Sequence, residues 1–171
     1  TAAMTEILKF DEKMMGPLTE LLTDYLILVA QSVKVEPWNF QVDIDEALAF
    51  TLANLSVFTP PAGNIFIAQR MGEPVGTASI KMIRPEVAEL KRMYVKPEFQ
   101  GFGVGELLLK RVVDEAKLFG ATEIYLDSPP PLLPSHKLYQ KHGFEMFDEY
   151  PEVSITEEMK TDWVYMRKTL D

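Results

Sequence analysis

Cysteine is absent from this 171-residue chain, and histidine occurs only twice. Without cysteine the chain can form no disulfide, thiolate metal site or cysteine nucleophile. Two histidines are too few for a histidine-rich metal site. We therefore expect no bound metal.

Long apolar runs are missing as well. No stretch approaches the roughly 20 apolar residues that a helix needs to cross a bilayer. The first residues show neither the basic nor the apolar region of a signal peptide. These absences predict a cytoplasmic protein that does not associate with a membrane, with Met4 as its first native residue.

Basic residues are outnumbered, with 17 Lys and Arg against 26 Asp and Glu and a formal net charge of −9. This balance disfavours a nucleic-acid partner, since phosphate binding needs clustered Lys and Arg. An acidic surface would favour a cationic substrate such as an amine. The excess carboxylates could equally serve only to keep the protein soluble, so composition leaves both interpretations open.

Hydrophobic periodicity predicts one α/β domain over residues 4–171, because no repeat or linker interrupts it. The element order β-α-α-β-β-β-α-β-α-β-β implies a mixed sheet. The predicted helices start near Pro17, run from 44 to 55 behind an Asp43 cap, and cover 104–119 and 135–142. The predicted strands are 6–10, 65–69, 75–83, 90–95, 124–127, 144–147 and 163–170, with residues 70–74 as a hairpin loop.

A glycine-rich turn stands between a predicted strand and a predicted amphipathic helix. Its glycines, Gly101, Gly103 and Gly105, allow left-handed backbone angles and close approach of a ligand. The first turn of a helix has unpaired N–H groups and the positive end of the macrodipole, which together can bind a diphosphate. A structural tight loop and a site for another nucleotide are the alternatives, although the Rossmann and Walker patterns do not fit the spacing.

The turn and its neighbours resemble the GNAT superfamily of acetyl-CoA-dependent N-acetyltransferases. That family's motif has Gln or Arg, two residues, Gly, one residue, then Gly or Ala, here Gln100, Gly103 and Gly105. The preceding residues 89–97 look like the family's strand leading into the motif. Downstream, residues 138–144 match its Leu-Tyr-x-Lys-x-Gly-Phe signature. The resemblance rests on these three ordered elements over about 55 residues.

The resemblance implies a single-domain fold with a twisted, mostly antiparallel sheet of about six to seven strands, splayed between the fourth and fifth. It implies transfer of an acetyl group from acetyl-CoA to a primary amine in a ternary complex. The pantetheine arm would pair with backbone groups of the strand before the turn. The expected cofactor-binding residues are Met93, Tyr94, Val95, Gln100, Gly101, Phe102, Gly103, Val104, Gly105, Glu106, Ser135 and Tyr139.

The same resemblance suggests two catalytic residues. Tyr139 is the expected acid for the departing thiolate, the alternative being an aromatic packed on the sheet. Glu89 is the expected base, the alternative being a solvent-facing strand residue paired with Lys91 on the same face. A backbone N–H of Tyr94 or Val95 would stabilise the oxyanion. A non-catalytic acyl-CoA sensor with the same turn is the competing functional class.

The family builds its acceptor pocket from the first helices, their loop and the C-terminal strands. Here that places Trp38, Phe40 and Trp163 as candidate liners, with Glu149, Glu152, Glu157 and Glu158 able to attract a cation. The acceptor is a small-molecule or peptide amine of unspecified identity. His136 and His142, flanked by lysines, are expected on the surface. Homodimers are common in the family.

Overall fold

The structure is a computed structural model in which residues 4–171 are described. The expectation about Met4 as the native start concerns Thr1–Ala3, which lie outside the described residues. The strands are β1 (Thr5–Lys9), β2 (Gly63–Arg70), β3 (Glu73–Arg84), β4 (Val87–Val95), β5 (Glu123–Ser128), β6 (Glu145–Met146) and β7 (Val164–Thr169). The helices are α1 (Met15–Val33), α2 (Ile44–Ala53), α3 (Val104–Leu118), α4 (Leu133–Lys141) and α5 (Glu157–Lys160).

All seven strands form one sheet, in the order β1-β2-β3-β4-β5-β7-β6. Every neighbouring pair is antiparallel except β4 and β5, which run parallel. Their pairing ends where Leu90 faces Leu126, although β4 continues to Val95 and β5 to Ser128. The mixed sheet and its opening between the fourth and fifth strands are therefore confirmed.

The two faces of the sheet carry different layers. On the first face, α3 and α4 cover a core that includes Leu90, Leu108, Leu126 and Tyr139. On the second face lie two separate clusters, one under α1 around Leu21 and one formed by the C-terminal segment. The polar residues of β4 and β5 described below lie on the second face, between those two clusters.

Local signals account for the helix boundaries. The Asp43 side chain accepts a hydrogen bond from the Glu46 N–H at 3.0 Å, which confirms the predicted cap of α2. Gly120 follows α3 at φ +87° and Gly143 follows α4 at φ +89°, left-handed angles that glycine adopts without strain. Both helices therefore end where the sequence predicts.

The hairpin between β2 and β3 differs from its prediction. Its turn has two residues, Met71 and Gly72, both at positive φ, and the strands extend to Arg70 and Glu73. A register shift after Ala68 accommodates Pro74 opposite Gln69, because a bulge tolerates a residue that cannot donate to the ladder. The predicted five-residue loop was wrong, since Pro74 does not end the strand.

Smaller differences lie near the C-terminus. The strand predicted at 144–147 contains only Glu145 and Met146, and the short helix α5 was not predicted. Among residues 4–171, no helix is both long and apolar enough to cross a membrane.

Candidate active site

A cleft of about 380 Å³ opens between the end of β4, the start of α3 and the start of α4. Ten of the residues expected to bind the cofactor line it: Met93, Tyr94, Val95, Gln100, Gly101, Gly103, Val104, Gly105, Glu106 and Ser135. Phe102 does not; its ring is 45% exposed and lies under the Arg70 guanidinium at 4.9 Å. Tyr139 lines a neighbouring cavity instead.

The glycines shape the wall of this cleft at the start of α3. Gly103 precedes the helix at φ +80° and offers no side chain to cap it, so the first N–H groups have no capping partner. A Cβ on Gly105 would lie 3.1 Å from the Leu138 side chain and 3.5 Å from that of Met93. Glycine at this position therefore lets α3 lie close to α4 and β4, and a larger residue would require the Leu138 side chain to shift by a few tenths of an ångström.

Glu106 adds a negative charge to the first turn of α3. Its Oε1 lies 3.1 Å from Lys141 Nζ and 3.0 Å from His142 Nε2. These hydrogen bonds, chiefly the one to Lys141, lower the pKa of Glu106. The carboxylate is therefore paired with the Lys141 ammonium at the end of α4 and bonded to the ring of His142, the residue that follows the helix.

The open edge of β4 faces the same cleft. The Lys96 N–H donates to the Val75 carbonyl at 2.8 Å, toward β3. Because successive N–H groups of a strand alternate in direction, the Val95 N–H faces away from β3 and the Tyr94 N–H faces it. The Gln100 side chain donates to the Val95 carbonyl at 3.2 Å. Of the two N–H groups expected to serve an oxyanion, that of Val95 has the suitable direction.

A bulge in β4 changes which residues share a face. Thr77 pairs with Tyr94 but Ser79 pairs with Lys91, so Arg92 and Met93 together oppose Ala78. Arg92 takes φ +54°, an angle that costs a non-glycine residue about 1–2 kcal/mol. The extra residue puts Lys91 and Arg92 on the second face of the sheet, while Met93 returns to the first-face core.

The opening between β4 and β5 holds a cavity of about 20 Å³. Lys91 Nζ bridges the two strands to Asp127 Oδ2 at 2.9 Å, and the Trp163 indole donates to Asp127 Oδ1 at 3.0 Å. Tyr25 of α1 and Tyr139 of α4 also line this cavity. Residues from both sides of the sheet therefore meet at its opening.

Tyr139 is nearly buried in this position and packs against Phe144, with ring centroids 5.7 Å apart. The ring therefore belongs to the core, as one interpretation of the sequence held, and the residue also lines the opening, while its role as an acid stays a prediction. Burial raises the pKa of Tyr139. The hydroxyl therefore keeps its proton across the pH range in which an amine is acetylated.

Glu89 is completely buried, not solvent-facing. Tyr150 donates its hydroxyl to Glu89 Oε2 at 2.7 Å, and Lys81 Nζ lies 3.8 Å from Oε1. Within residues 4–171, Oε1 has no hydrogen-bond partner. Lys91 is hydrogen-bonded to Asp127 and not to Glu89, so the alternative interpretation, a solvent-facing Glu89 paired with Lys91, is wrong. Burial raises the pKa of Glu89, although Lys91 and Tyr150 oppose the shift.

The Glu89→Gln variant is expected to change how stability depends on pH. The pKa of Glu89 in the folded protein lies above the ordinary 4.5. In the pH window between these two pKa values, the folded protein therefore binds more protons than the unfolded chain. The free energy of unfolding therefore falls as pH rises through the window, by at most about 1.4 kcal/mol per pH unit. Gln does not titrate, so the stability of the variant relative to wild type should increase over the same window.

Urea unfolding of both proteins between pH 4 and pH 8 measures this difference, with the exposed Glu73→Gln as control for the change in net charge. A constant difference across that range would contradict the raised pKa of Glu89.

The candidate acceptor residues lie apart from both cavities. Trp163 is buried in the C-terminal cluster and Phe40 packs against that cluster, whereas Trp38 is half-buried. Only Trp163 reaches the opening, through its bond to Asp127. Three of the candidate acids already contact basic side chains: Glu152 contacts Arg84, and Glu149 and Glu157 contact Lys160.

The surface position expected for the histidines is wrong for His136. That residue is buried, and its Nε2 lies 2.8 Å from Ser128 Oγ at the end of β5. Burial lowers the pKa of His136, so its ring is neutral. His142 is half-buried and contacts Glu106. The amphipathic pattern of a short helix could not show that α4 turns His136 inward.

Comparison with known proteins decides the family. The model of the acetyltransferase (GNAT) family matches residues 23–144. The chain belongs to this family. It is 29% identical over 140 residues to an uncharacterized N-acetyltransferase of Schizosaccharomyces pombe, covering 78% of this chain and 82% of the relative. It is 31% identical over 103 residues to the IAA acetyltransferase of Azospirillum brasilense, covering 60% and 67% respectively.

The fold agrees with that of a solved N-acetyltransferase. The PaiA N-acetyltransferase of Thermoplasma acidophilum, in complex with coenzyme A, superposes with a TM-score of 0.74 at 21% identity, over 97% of this chain and 99% of that one. The GNAT match places this protein among the acyltransferases and includes Tyr25, β4, the glycine turn, Asp127 and Tyr139. Tyr150 and Trp163 lie beyond the matched residues.

Five polar residues near the opening were not predicted from sequence: Tyr25, Lys91, Arg92, Asp127 and Tyr150. Tyr25 lies at helical spacing among the apolar residues of α1, which gives no sign of a polar role, and Lys91 was considered only as a surface partner of Glu89. The available signal was the succession of two cations, Lys91 and Arg92, in a strand whose other charged residue is Glu89. The face of the sheet on which Lys91 and Arg92 lie depends on the bulge, which no local pattern indicates.

Proposed function

We propose that this GNAT protein transfers an acetyl group from acetyl-CoA to a primary amine by direct attack in a ternary complex. The observation that carries the proposal is the continuity of two openings: Met93, Leu132 and Ser135 line both the 380 Å³ cleft and the cavity at Tyr139. A molecule held at the start of α3 can therefore extend along β4 toward Tyr139. The complex of the Thermoplasma acidophilum protein with coenzyme A supports a coenzyme A thioester as the acetyl donor.

The main chain at the start of α3 would hold the diphosphate. Gly101, Gly103 and Gly105 leave room there, and the helix N-terminus favours negative charge. The N–H of Val95 faces the cleft and would pair with the pantetheine arm or the oxyanion. Phe102 borders the turn from outside the cleft, so its contribution is through its main chain. Acetyl-CoA supplies the activated acetyl thioester.

In this reaction a C–N bond forms and the C–S bond breaks. Glu89 receives the amine proton through an intervening water, since it is buried, and its raised pKa brings it closer to a useful general base. Tyr139 donates its hydroxyl proton to the departing thiolate. Burial weakens Tyr139 as an acid, but the same burial raises the pKa of a thiol formed beside it, so the pKa values of donor and acceptor shift in the same direction.

Release of free thiol from acetyl-CoA tests the proposal across a panel of simple amines, amino acids, amino-acid amides, polyamines and short peptides. We expect amine-dependent release with at least one class. Binding of acetyl-CoA without turnover on any amine would favour the acyl-CoA sensor. Greater thermal stabilisation by NAD or ATP than by acetyl-CoA would indicate another diphosphate ligand. A cytoplasmic location and a homodimer remain predictions.

A further inference from the structure

A row of ionisable side chains crosses the second face of the sheet at the opening. It contains three cations, Lys81, Lys91 and Arg92, and two carboxylates, Glu89 and Asp127, all close enough to influence one another electrostatically. Lys91 is paired with Asp127 at 2.9 Å, and Lys81 lies 3.8 Å from Glu89. Both carboxylates therefore have a cationic neighbour, and one cation is left over.

Arg92 is that cation. Among residues 4–171 its guanidinium makes no hydrogen bond and no ion pair; it lies over the Phe58 ring at 4.9 Å. Lys81 Nζ lies 5.3 Å from the centre of the same ring, so two cations share one aromatic side chain. A guanidinium has five N–H donors in a planar fork that matches a carboxylate. Burial lowers the pKa of Arg92, which reflects how much water it has lost.

The backbone is arranged to place Arg92 there. The bulge holds it at φ +54°, a strained angle, and turns it to the face that carries Lys91 and Asp127. Arg92 and Asp127 line the same cavity of about 20 Å³, beside Tyr139. A volume of that size has room for about one water-sized group, such as one oxygen of a carboxylate, and not for a whole side chain.

We propose that Arg92 binds a carboxylate of the acceptor, so that the acceptor is an amine that carries a carboxylate a few bonds away, as an amino acid does. This inference rests on the proposed acetyl transfer and names its substrate class. The bound carboxylate supplies the anion that the row lacks, and the adjacent amine then lies at the opening beside Tyr139. The amine of the acceptor reacts in its neutral form. The acceptor as a whole therefore brings one negative charge to the row, that of its carboxylate.

The overall charge of −9 points the other way, toward a cationic acceptor, but it belongs to the surface as a whole. Exposed charges beyond about 10 Å are largely screened at ordinary ionic strength, whereas partly buried ones are screened much less. A polyamine would bring a second cation next to Lys81, Lys91 and Arg92. Local charge therefore opposes a polyamine even though the distant surface attracts one.

The test compares each of the 20 common amino acids with its own amide in the thiol-release assay. The two differ at the carboxylate and, as a consequence, in the pKa of the amine beside it. With kcat/KM expressed per neutral amine, the ratio of the two values isolates the contribution of the carboxylate. For the amino acid that reacts best, we expect the acid to exceed the amide by about 100-fold, mainly through KM, because a site built for one polar group discriminates strongly against its absence. Spermidine should react no better than the amide.

The same ratio measured in Arg92→Gln assigns the effect to this residue. We expect kcat/KM for the acid to fall by about 100-fold and that for the amide to change by less than about 3-fold, so the preference disappears. Arg111→Gln is the matched control, because Arg111 also stacks on a phenylalanine, Phe66 at 5.0 Å, but on α3. In Arg111→Gln the ratio of kcat/KM for the acid to that for the amide should equal the wild-type ratio.

Each result decides something specific. Equal rates for acid and amide in the wild type, or a better rate for spermidine, would overturn the inference while leaving acetyl transfer intact. An equal loss for acid and amide in Arg92→Gln would remove Arg92 from carboxylate binding; the wild-type ratio stands even if that variant does not fold. Absence of turnover on every amine would overturn the proposed function and the inference together.

Discussion

Tyr139→Phe is expected to lower kcat by about 100-fold, the lower part of the range for general acid catalysis, while CoA affinity changes by less than about 2-fold. The hydroxyl lies at the opening between β4 and β5, whereas the ring is part of the core and is retained by phenylalanine. Steady-state thiol release gives kcat, and calorimetric titration with CoA gives the affinity. The loss should fall on kcat since the hydroxyl acts only as the thiolate departs.

Tyr125→Phe is the matched control. Tyr125 is also a nearly buried tyrosine, but it lies in the C-terminal cluster and donates to Glu123 at 3.1 Å. Its removal should leave kcat within about 2-fold of wild type. Undiminished turnover in Tyr139→Phe would exclude this residue as the acid. Because the pKa of Tyr139 is raised, wild-type kcat should also show no decline near pH 10 from its ionisation.

Gly103→Trp is expected to weaken CoA binding by at least about 100-fold, since an indole there would cover the N–H groups at the start of α3. With CoA at 100 times the wild-type dissociation constant, wild type should gain about 2.7 kcal/mol of stability and the variant almost none. Thermal unfolding with and without CoA measures this. The domain itself should still fold, because Gly103 lies at the rim of the cleft.

Gly103→Trp could weaken CoA binding in two ways, by covering the site or by straining the backbone, since Gly103 has φ +80°. A control variant separates the two effects. Gly72 has φ +81° in the β2–β3 turn, where an added Cβ would meet no atom within 4 Å. Gly72→Trp therefore carries comparable strain at a residue that does not line the cleft and should keep full CoA affinity. If Gly103→Trp retained its affinity for CoA, the proposed diphosphate site would be wrong.

The parts that could be predicted from sequence are those set by local rules. Asp43 caps α2, Gly120 and Gly143 end α3 and α4, and Gly103 opens the start of α3; each depends on a few consecutive residues. Ten of the twelve expected cofactor residues line one cleft for the same reason, because nine of them belong to one continuous strand–turn–helix segment. Their roles in binding and catalysis remain predictions.

The parts that could not be predicted depend on register and on distant partners. Glu89 and Tyr150 are 61 residues apart in sequence, and Lys91 and Asp127 are 36 apart. No local pattern therefore shows that either carboxylate is hydrogen-bonded to another side chain inside the protein. The bulge at Arg92 has no glycine or proline to mark it. A strict two-residue alternation through β4 would have assigned Arg92, Met93 and Tyr94 to the wrong faces.

The irregularity at Arg92 also constrains how this strand can vary. Removing Arg92 would place Met93 directly after Lys91, so strict alternation would return while Met93, Tyr94 and Val95 kept their faces and their partners on β3. A regular strand that kept Arg92 would instead exchange the faces of these three residues, taking apolar side chains out of the α3 side of the core and reversing the direction of the Val95 N–H. The bulge therefore adds a second consecutive cation to one face of the sheet without disturbing the packing of the other.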